Sequence, residues 1–154
     1  MNLKFIEDGS IQLDNVRITY RNFRGEGSKF NREGDRNFAV VIDDQEIADA
    51  LTEAGWNVKI KPPREEGDAP YIILPVKIKF NARGPAVYLK TGDVLNRLDE
   101  ESIGILDDVD IINVDLDIRP YNWEVRGDTG RTAYLQSICV TQNVDRFAAR
   151  YGNN

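Results

Sequence analysis

The chain has 154 residues and a mass of 17.5 kDa, enough for one domain that buries roughly two-thirds of the surface its unfolded chain exposes. Its 41% hydrophobic and 30% charged residues are an ordinary globular mixture, which excludes a disordered or collagen-like chain, and the formal net charge is −6. Histidine is absent and Cys139 is the single cysteine, which excludes Ser-His-Asp and Cys-His nucleophile systems, an intrachain disulfide and any His- or Cys-based metal cluster.

Cys139 reads as a small core side chain of an intracellular protein. No apolar run approaches the ~18 residues of a membrane span. Met1–Asp8 lacks the hydrophobic stretch of a signal peptide, so a soluble protein of the cell interior is expected.

Residues 11–20 alternate apolar and polar side chains with one slip near Asn15, the pattern of a strand with a bulge. The polar stretch 21–35, with Gly25, Gly27 and Gly34, is a long connection, and Asn37–Asp43 is a buried-type strand. Asp44 caps a helix that runs to about Ala54, placing Ile47, Ala50, Leu51 and Ala54 on one stripe, and Gly55 ends it. Trp56–Lys61 forms a short strand and Pro62–Pro70 a turn-rich loop. Tyr71–Phe80 is the clearest strand, with Ile72, Leu74, Val76, Ile78 and Phe80 on one side and Lys77 and Lys79 on the other. Pro75 marks it as an edge strand or a bulge.

Ala86–Lys90 returns as a short strand, and residues 99–107 form one or two helical turns. Val109–Ile118 is a strand with Ile112, Val114, Leu116 and Ile118 inward and Asp115 and Asp117 outward. Pro120–Gly130 is a hairpin connection with Asp128-Thr129-Gly130 at its tip, Thr132–Gln142 is the last strand, and residues 143–154 are a tail or helical turn. Five principal and two minor strands, one helix after the second strand and no βαβ alternation indicate a mainly-β domain over residues 1–142. An OB-type five-stranded Greek-key barrel is the first choice.

The charge is unevenly distributed. Residues 1–90 hold 14 Lys and Arg against 14 Asp and Glu, whereas residues 91–154 hold 6 against 12. An anion responds to the field within about one Debye length, roughly 8–10 Å, so an acidic total leaves room for a basic face. Arg17–Phe38 interleaves Arg17, Arg21, Arg24, Lys29, Arg32 and Arg36 with Tyr20, Phe23, Phe30 and Phe38. Cations beside aromatic rings suit a single-stranded nucleic acid, whose phosphates repeat and whose bases stack. Tyr20, Phe23 and Phe30 are the stacking candidates, while Phe38 belongs to a strand; the alternative is that the aromatics are core anchors and the arginines a solvated loop.

Lys59/Lys61 and Lys77/Lys79 leave their strands on one face each, as a phosphate platform or as protection of a sheet edge. Arg119, Tyr121 and Trp123 either extend a stacking surface beyond a strand end, or Trp123 closes the bottom of the barrel. Asp107, Asp108, Asp110, Asp115 and Asp117 could support a Mg²⁺-dependent nuclease. The regular alternation around Asp115 and Asp117 reads better as a solvated face that pushes DNA toward the first three strands. Gly25-Glu26-Gly27-Ser28-Lys29 lacks the pattern of a phosphate-binding loop.

Several segments resemble small phage-encoded single-stranded DNA-binding proteins with an OB fold. They are Thr19-Tyr20-Arg21-Asn22-Phe23, Phe30–Phe38, Gly55–Lys59 and Val114–Trp123. The resemblance implies coating of single-stranded DNA during phage replication or recombination, without catalysis or cofactor, in the cytoplasm of a bacterial host. Replication or recombination proteins and a homo-oligomer are the further partners it suggests. The wider group often ends in an acidic recruiting tail; here residues 143–154 carry Asp145 against Arg146 and Arg150. A phage structural or assembly protein that uses its sheet edges is the non-enzymatic alternative.

Overall fold

The computed structural model describes residues 1–144. In chain order they form β1 (Asn2–Phe5), β2 (Ile11–Asn22), β3 (Arg36–Ile42), α1 (Gln45–Glu53), β4 (Lys59–Lys61), β5 (Tyr71–Ile78), β6 (Ala86–Thr91) and β7 (Val94–Leu98). A 3-10 turn (Ile103–Asp107), β8 (Ile111–Val125) and β9 (Asp128–Gln142) follow. No described helix is long and apolar enough to cross a membrane.

β2 pairs with β3 and β8, β3 with β5, and β8 with β9, all antiparallel. A short parallel pairing, Val76 opposite Ala133 and Lys77 opposite Tyr134, joins β5 to β9 and closes the ring. The neighbours around that ring run β2-β3-β5-β9-β8 and back to β2, the order of a five-stranded OB barrel. β1 adds to β2, β4 to β5, and the β6–β7 hairpin to the second half of β9.

Alternation puts Ile11, Leu13, Phe38, Val40, Leu74, Val76, Val114, Leu116, Leu135 and Ile138 into one buried core. Two bulges keep that pattern in register. Asn15, at φ 54°, is among the residues where β2 slips between Leu13 and Val16, so both of those stay inward. On β9, Leu135 faces Ile118 while Ser137 faces Asp117, which makes Gln136 the extra residue and carries the inward set on to Ile138. The helix starts as expected: Asp44 Oδ1 accepts from the N–H groups of Glu46 and Ile47 at 2.9 and 3.3 Å. It ends before Gly55, at φ 92°.

The structure departs from the sequence expectations at five places. β1 and β7, both short, single-partnered and largely exposed, carry no buried alternation to announce them. The strand expected at Trp56–Lys61 shortens to Lys59–Lys61. Pro75 lies in a strand paired with β3 throughout Ile72–Ile78. On the other side of β5 it stands between the residues paired to β4 and those paired to β9, where no neighbour is assigned. Ile112, expected inward, falls at a register shift of β8 and is exposed.

The fifth departure is the hairpin after Pro120. β8 and β9 run on to Val125 and Asp128, and the turn is Arg126-Gly127, both at positive φ, as a two-residue hairpin turn requires. The tip is therefore not Asp128-Thr129-Gly130. Most of the expected tail at 143–154, from residue 145 onward, lies outside the described residues.

Candidate nucleic-acid interface

Strand register places the outward residues of the barrel. On β5, Tyr71, Ile73, Pro75 and Lys77 point outward; Lys61 and Lys59 of β4 stand opposite Tyr71 and Ile73, and Asn37 of β3 stands opposite Lys77. Lys77 also faces Tyr134 of β9, which in turn faces Arg119 of β8. One continuous surface thus carries Lys59, Lys61, Lys77, Tyr134 and Arg119, with exposed Arg17 joining it opposite Val41.

Further along the same outward face of β8, two residues from Arg119, an acidic depression begins. Asp115 faces Cys139 and Asp117 faces Ser137, with Asp14 beside them in the same surface depression. Cys139, expected in the core, is half-buried and lines this depression because it shares the outward register of Asp115. Partial burial raises the Asp14 carboxyl above its ordinary range, and the Asp115 and Asp117 carboxylates add to the rise. Asp115 accepts from the Asn15 N–H at 2.8 Å and Asp117 from the Ser137 hydroxyl at 2.6 Å. Among the described residues no three carboxylate or thiol groups come together as a metal site.

The paired ends of β8 and β9 form an arm that projects from the barrel. Arg119, Tyr121, Trp123 and Val125 alternate onto one of its faces, in line with Tyr134. Arg119 lies 5.2 Å from the Tyr134 ring centroid, and the Tyr121 and Tyr134 rings meet edge to face at 6.0 Å. Trp123 lies against its cross-strand partner Gly130 so closely that a β-carbon there would stand 2.3 Å from Cζ2. The indole is still 38% exposed.

Arg131, on the opposite face, fastens the arm: it donates to Asn122 Oδ1 and to the Ala54 carbonyl, each at 2.8 Å, and stacks 5.4 Å from the Trp56 ring centroid. Arg119 also borders an open cleft of about 580 Å³, lined by Asn81–Pro85 with Arg83, and by Leu135 and Gln136.

The connection between β2 and β3 is tied at both ends. Asp107 accepts from the N–H groups of Phe23 and Arg24 at 2.7 and 3.1 Å, and Arg36 Nε donates to the Phe23 carbonyl at 2.9 Å. Inside it, Gly34 N–H donates to the Gly25 carbonyl at 2.8 Å, and Asn31 Nδ2 donates to the carbonyls of Glu26, Arg32 and Asp35. Its tip, Lys29-Phe30, is exposed, with the Phe30 ring 92% accessible and the Lys29 ammonium 5.8 Å from its centroid. Asn37 Nδ2 donates to Asn31 Oδ1 at 2.9 Å, which sets this loop beside the outward residue paired with Lys77. Lys77 and Asn37 therefore floor a gap with the loop on one side and the arm on the other.

The candidate residues separate accordingly. Lys59, Lys61, Lys77, Arg119, Tyr121 and Trp123 share the outer face and the arm, and exposed Lys79 follows β5. Lys29, Phe30 and Arg32 occupy the loop, with Arg32 paired to Asp35 at 3.6 Å.

Phe23 is a correction to the sequence reading. It is fully buried and stacks on Phe38 at 5.1 Å, so it offers no ring to a base. Three arginines are engaged in anchoring. Arg21 donates to the Leu106 and Val109 carbonyls, Arg24 pairs with Asp108 and Asp107, and Arg36 reaches the Glu100 carbonyl and carboxylate. These acceptors, on Glu100 and on residues 106–109, lie 64–88 residues away in the chain, beyond any local motif.

Arg64 and Arg83 belong to the basic run Lys59–Lys90 but were not among the candidate residues, and Tyr71 and Tyr134 were missed. Arg64 lies 5.5 and 5.1 Å from the Tyr20 and Tyr71 ring centroids and donates to Thr19 Oγ1 at 2.6 Å. The two tyrosine hydroxyls bond to each other. That contact raises the Tyr20 phenol and lowers that of Tyr71, which Arg64 lowers further. The alternation of Tyr71 with the Lys77 face was the available signal for it; beyond the basic run, nothing local signals Arg64.

The family described as “Putative phage ssDNA-binding domain” matches residues 2–154. The chain belongs to this family. Solved structures agree on the fold: the single-stranded DNA-binding protein from bacteriophage Enc34 is similar with a TM-score of 0.61 at 14% identity, over 95% of this chain and 88% of that one. Its C-terminally truncated form gives 0.59 at 15% identity over 94% and 91%. Its complex with single-stranded DNA gives 0.57 at 17% identity over 95% and 93%. No curated protein sequence matches the chain. For a phage single-stranded DNA-binding domain, an OB barrel with outward cations beside the exposed rings of Tyr121 and Trp123 is a coherent construction.

Proposed function

We propose that this domain coats single-stranded DNA with little sequence preference, in a bacterial host cell during phage DNA replication or recombination. The strand enters between the Lys29-Phe30 loop and the Tyr121/Trp123 arm, over Lys77, and continues along β5 toward Lys61. Lys59, Lys61, Lys77, Lys79 and Arg119 neutralise phosphates, while Phe30, Tyr121 and Trp123 stack bases. The observation that carries this reading is the continuity of Lys77, Tyr134, Arg119 and the arm on one outer face, with Asp14, Asp115 and Asp117 gathered in a separate depression further along β8.

The surface has a usable length. Tyr71 to Lys77 spans about 20 Å at ~3.3 Å per residue, and the step across β9 to β8 adds about 10 Å. Arg119 to Trp123 adds roughly 13 Å by the same rise. A path of this order suits the ~4–16 nucleotides that one OB fold covers.

The domain acts by binding alone: Asp115 and Asp117, the carboxylates a nuclease would recruit, are held by the Asn15 N–H and the Ser137 hydroxyl. Residues 1–142 act as one OB unit. Replication or recombination proteins and a second copy of the chain are its further partners.

Fluorescence anisotropy with labelled oligo(dT) and a duplex of equal length tests the proposal. Tight binding of the single strand at low salt, weaker for the duplex, is expected. No anisotropy change with oligo(dT) at low salt would overturn it.

A further inference from the structure

β3 lies between β2 and β5, so the hydroxyl contact of Tyr20 with Tyr71 crosses over the outer face of β3. Arg64, from the connection between β4 and β5, covers both rings and holds Thr19. Ala39 and Ile73 point outward here by register, yet each is only 3% exposed and neither belongs to the central core. Among the described residues Arg64 has no carboxylate within 4 Å, unlike Arg24 and Arg36. Lys61 stands directly opposite Tyr71 and Lys59 two residues away on the same face. A guanidinium on one exposed ring, Tyr20, and one half-buried ring, Tyr71, with two lysines alongside and no carboxylate partner, has the composition of a nucleotide site filled by the protein's own side chain.

We propose that Tyr20, Tyr71 and Arg64 form a second nucleotide subsite, closed in the free protein. This rests on the single-stranded DNA reading above. A strand leaving the Lys77 gap along β5 reaches Arg64, whose guanidinium moves from the rings to a phosphate, and the uncovered tyrosines stack bases. A guanidinium on an exposed ring is held weakly, whereas a base stacked on an aromatic platform is held more firmly, so the exchange runs toward the bound strand.

Two oligothymidylates test this, one of about five nucleotides that fills only the gap and the arm, and one of about twelve that also reaches β4. The longer should gain affinity over the shorter in the wild-type protein. Tyr71→Ala and Tyr20→Ala should each remove about tenfold of that gain and leave the short oligonucleotide unaffected, which also certifies the fold. Tyr20→Phe and Tyr71→Phe keep the rings and should keep the gain, while Arg64→Ala should reduce the salt dependence of the long oligonucleotide alone. Alanine variants that bind both lengths like wild type, or weaken both equally, overturn the subsite and leave the reading of the Lys77 gap standing. A wild-type protein that binds neither length overturns both.

Discussion

Gly130→Ala probes the arm without touching a charge or the core. A β-carbon at residue 130 would stand 2.3, 2.5 and 2.8 Å from Cζ2, Cε2 and Nε1 of Trp123, where ordinary carbon contacts need about 3.5–4.0 Å. The indole must therefore lift by about 1 Å or swing away. Gly130 is not at positive φ, so the substitution tests this contact and not backbone strain. Because the arm lies outside the core cluster, the cost to folding should stay below about 1 kcal/mol.

The cost to the ligand is larger. One stacked base contributes about 1–3 kcal/mol, or roughly 5- to 150-fold in Kd. Titration with oligo(dT) can follow tryptophan emission, because Trp56 is buried and only Trp123 is open to a base. Trp123→Ala should show the same loss and no quench, and Gly130→Ala should add nothing on that background. Wild-type affinity in Gly130→Ala, or penalties that add in the double variant, would refute the stacking role.

Three further outcomes follow from the packing. Phe23→Ala should destabilise the domain by about 3–5 kcal/mol in thermal or urea unfolding, because it empties a fully buried site and removes the stack on Phe38. Asp107→Ala strips a charged acceptor from the Phe23 and Arg24 N–H groups. It should cost about 2–3 kcal/mol and expose residues 24–34 to limited proteolysis. Asp14→Asn should stabilise at neutral pH by at most about 0.5 kcal/mol at this exposed position. Its carboxyl is raised in the folded state, so ionising it opposes folding above the ordinary carboxylate range, and the advantage should fade as pH falls through that raised value.

Long strands with a buried face were legible because Leu74, Val76 and Ile78, or Val114, Leu116 and Ile118, repeat every second residue. β1 and β7 were not, since each pairs on one side and is mostly exposed. The lysine pairs Lys59/Lys61 and Lys77/Lys79 could be placed on strand faces by spacing alone, but which strands adjoin is a property of the closed ring. Within Arg17–Phe38, composition could not tell a free cation from a bound one. Arg21 is committed to carbonyls 85 and 88 residues later, Arg24 to a carboxylate 84 residues later, and Phe23 to the core. Tyr20 and Tyr71 meet across 51 residues, a contact that only the sheet order creates.

The account stands or falls most directly on the salt dependence of oligo(dT) binding in Lys77→Ala/Lys79→Ala/Arg119→Ala set against wild type. Each cation that neutralises a phosphate of a single strand contributes about 0.7 to the slope of log K against log salt. The triple variant should therefore bind more weakly and lose about 2 units of slope, whereas Asp14→Asn, in the acidic depression on β2, should keep the wild-type slope. A triple variant with wild-type affinity and slope would place the DNA elsewhere and contradict the interface described for this outer face.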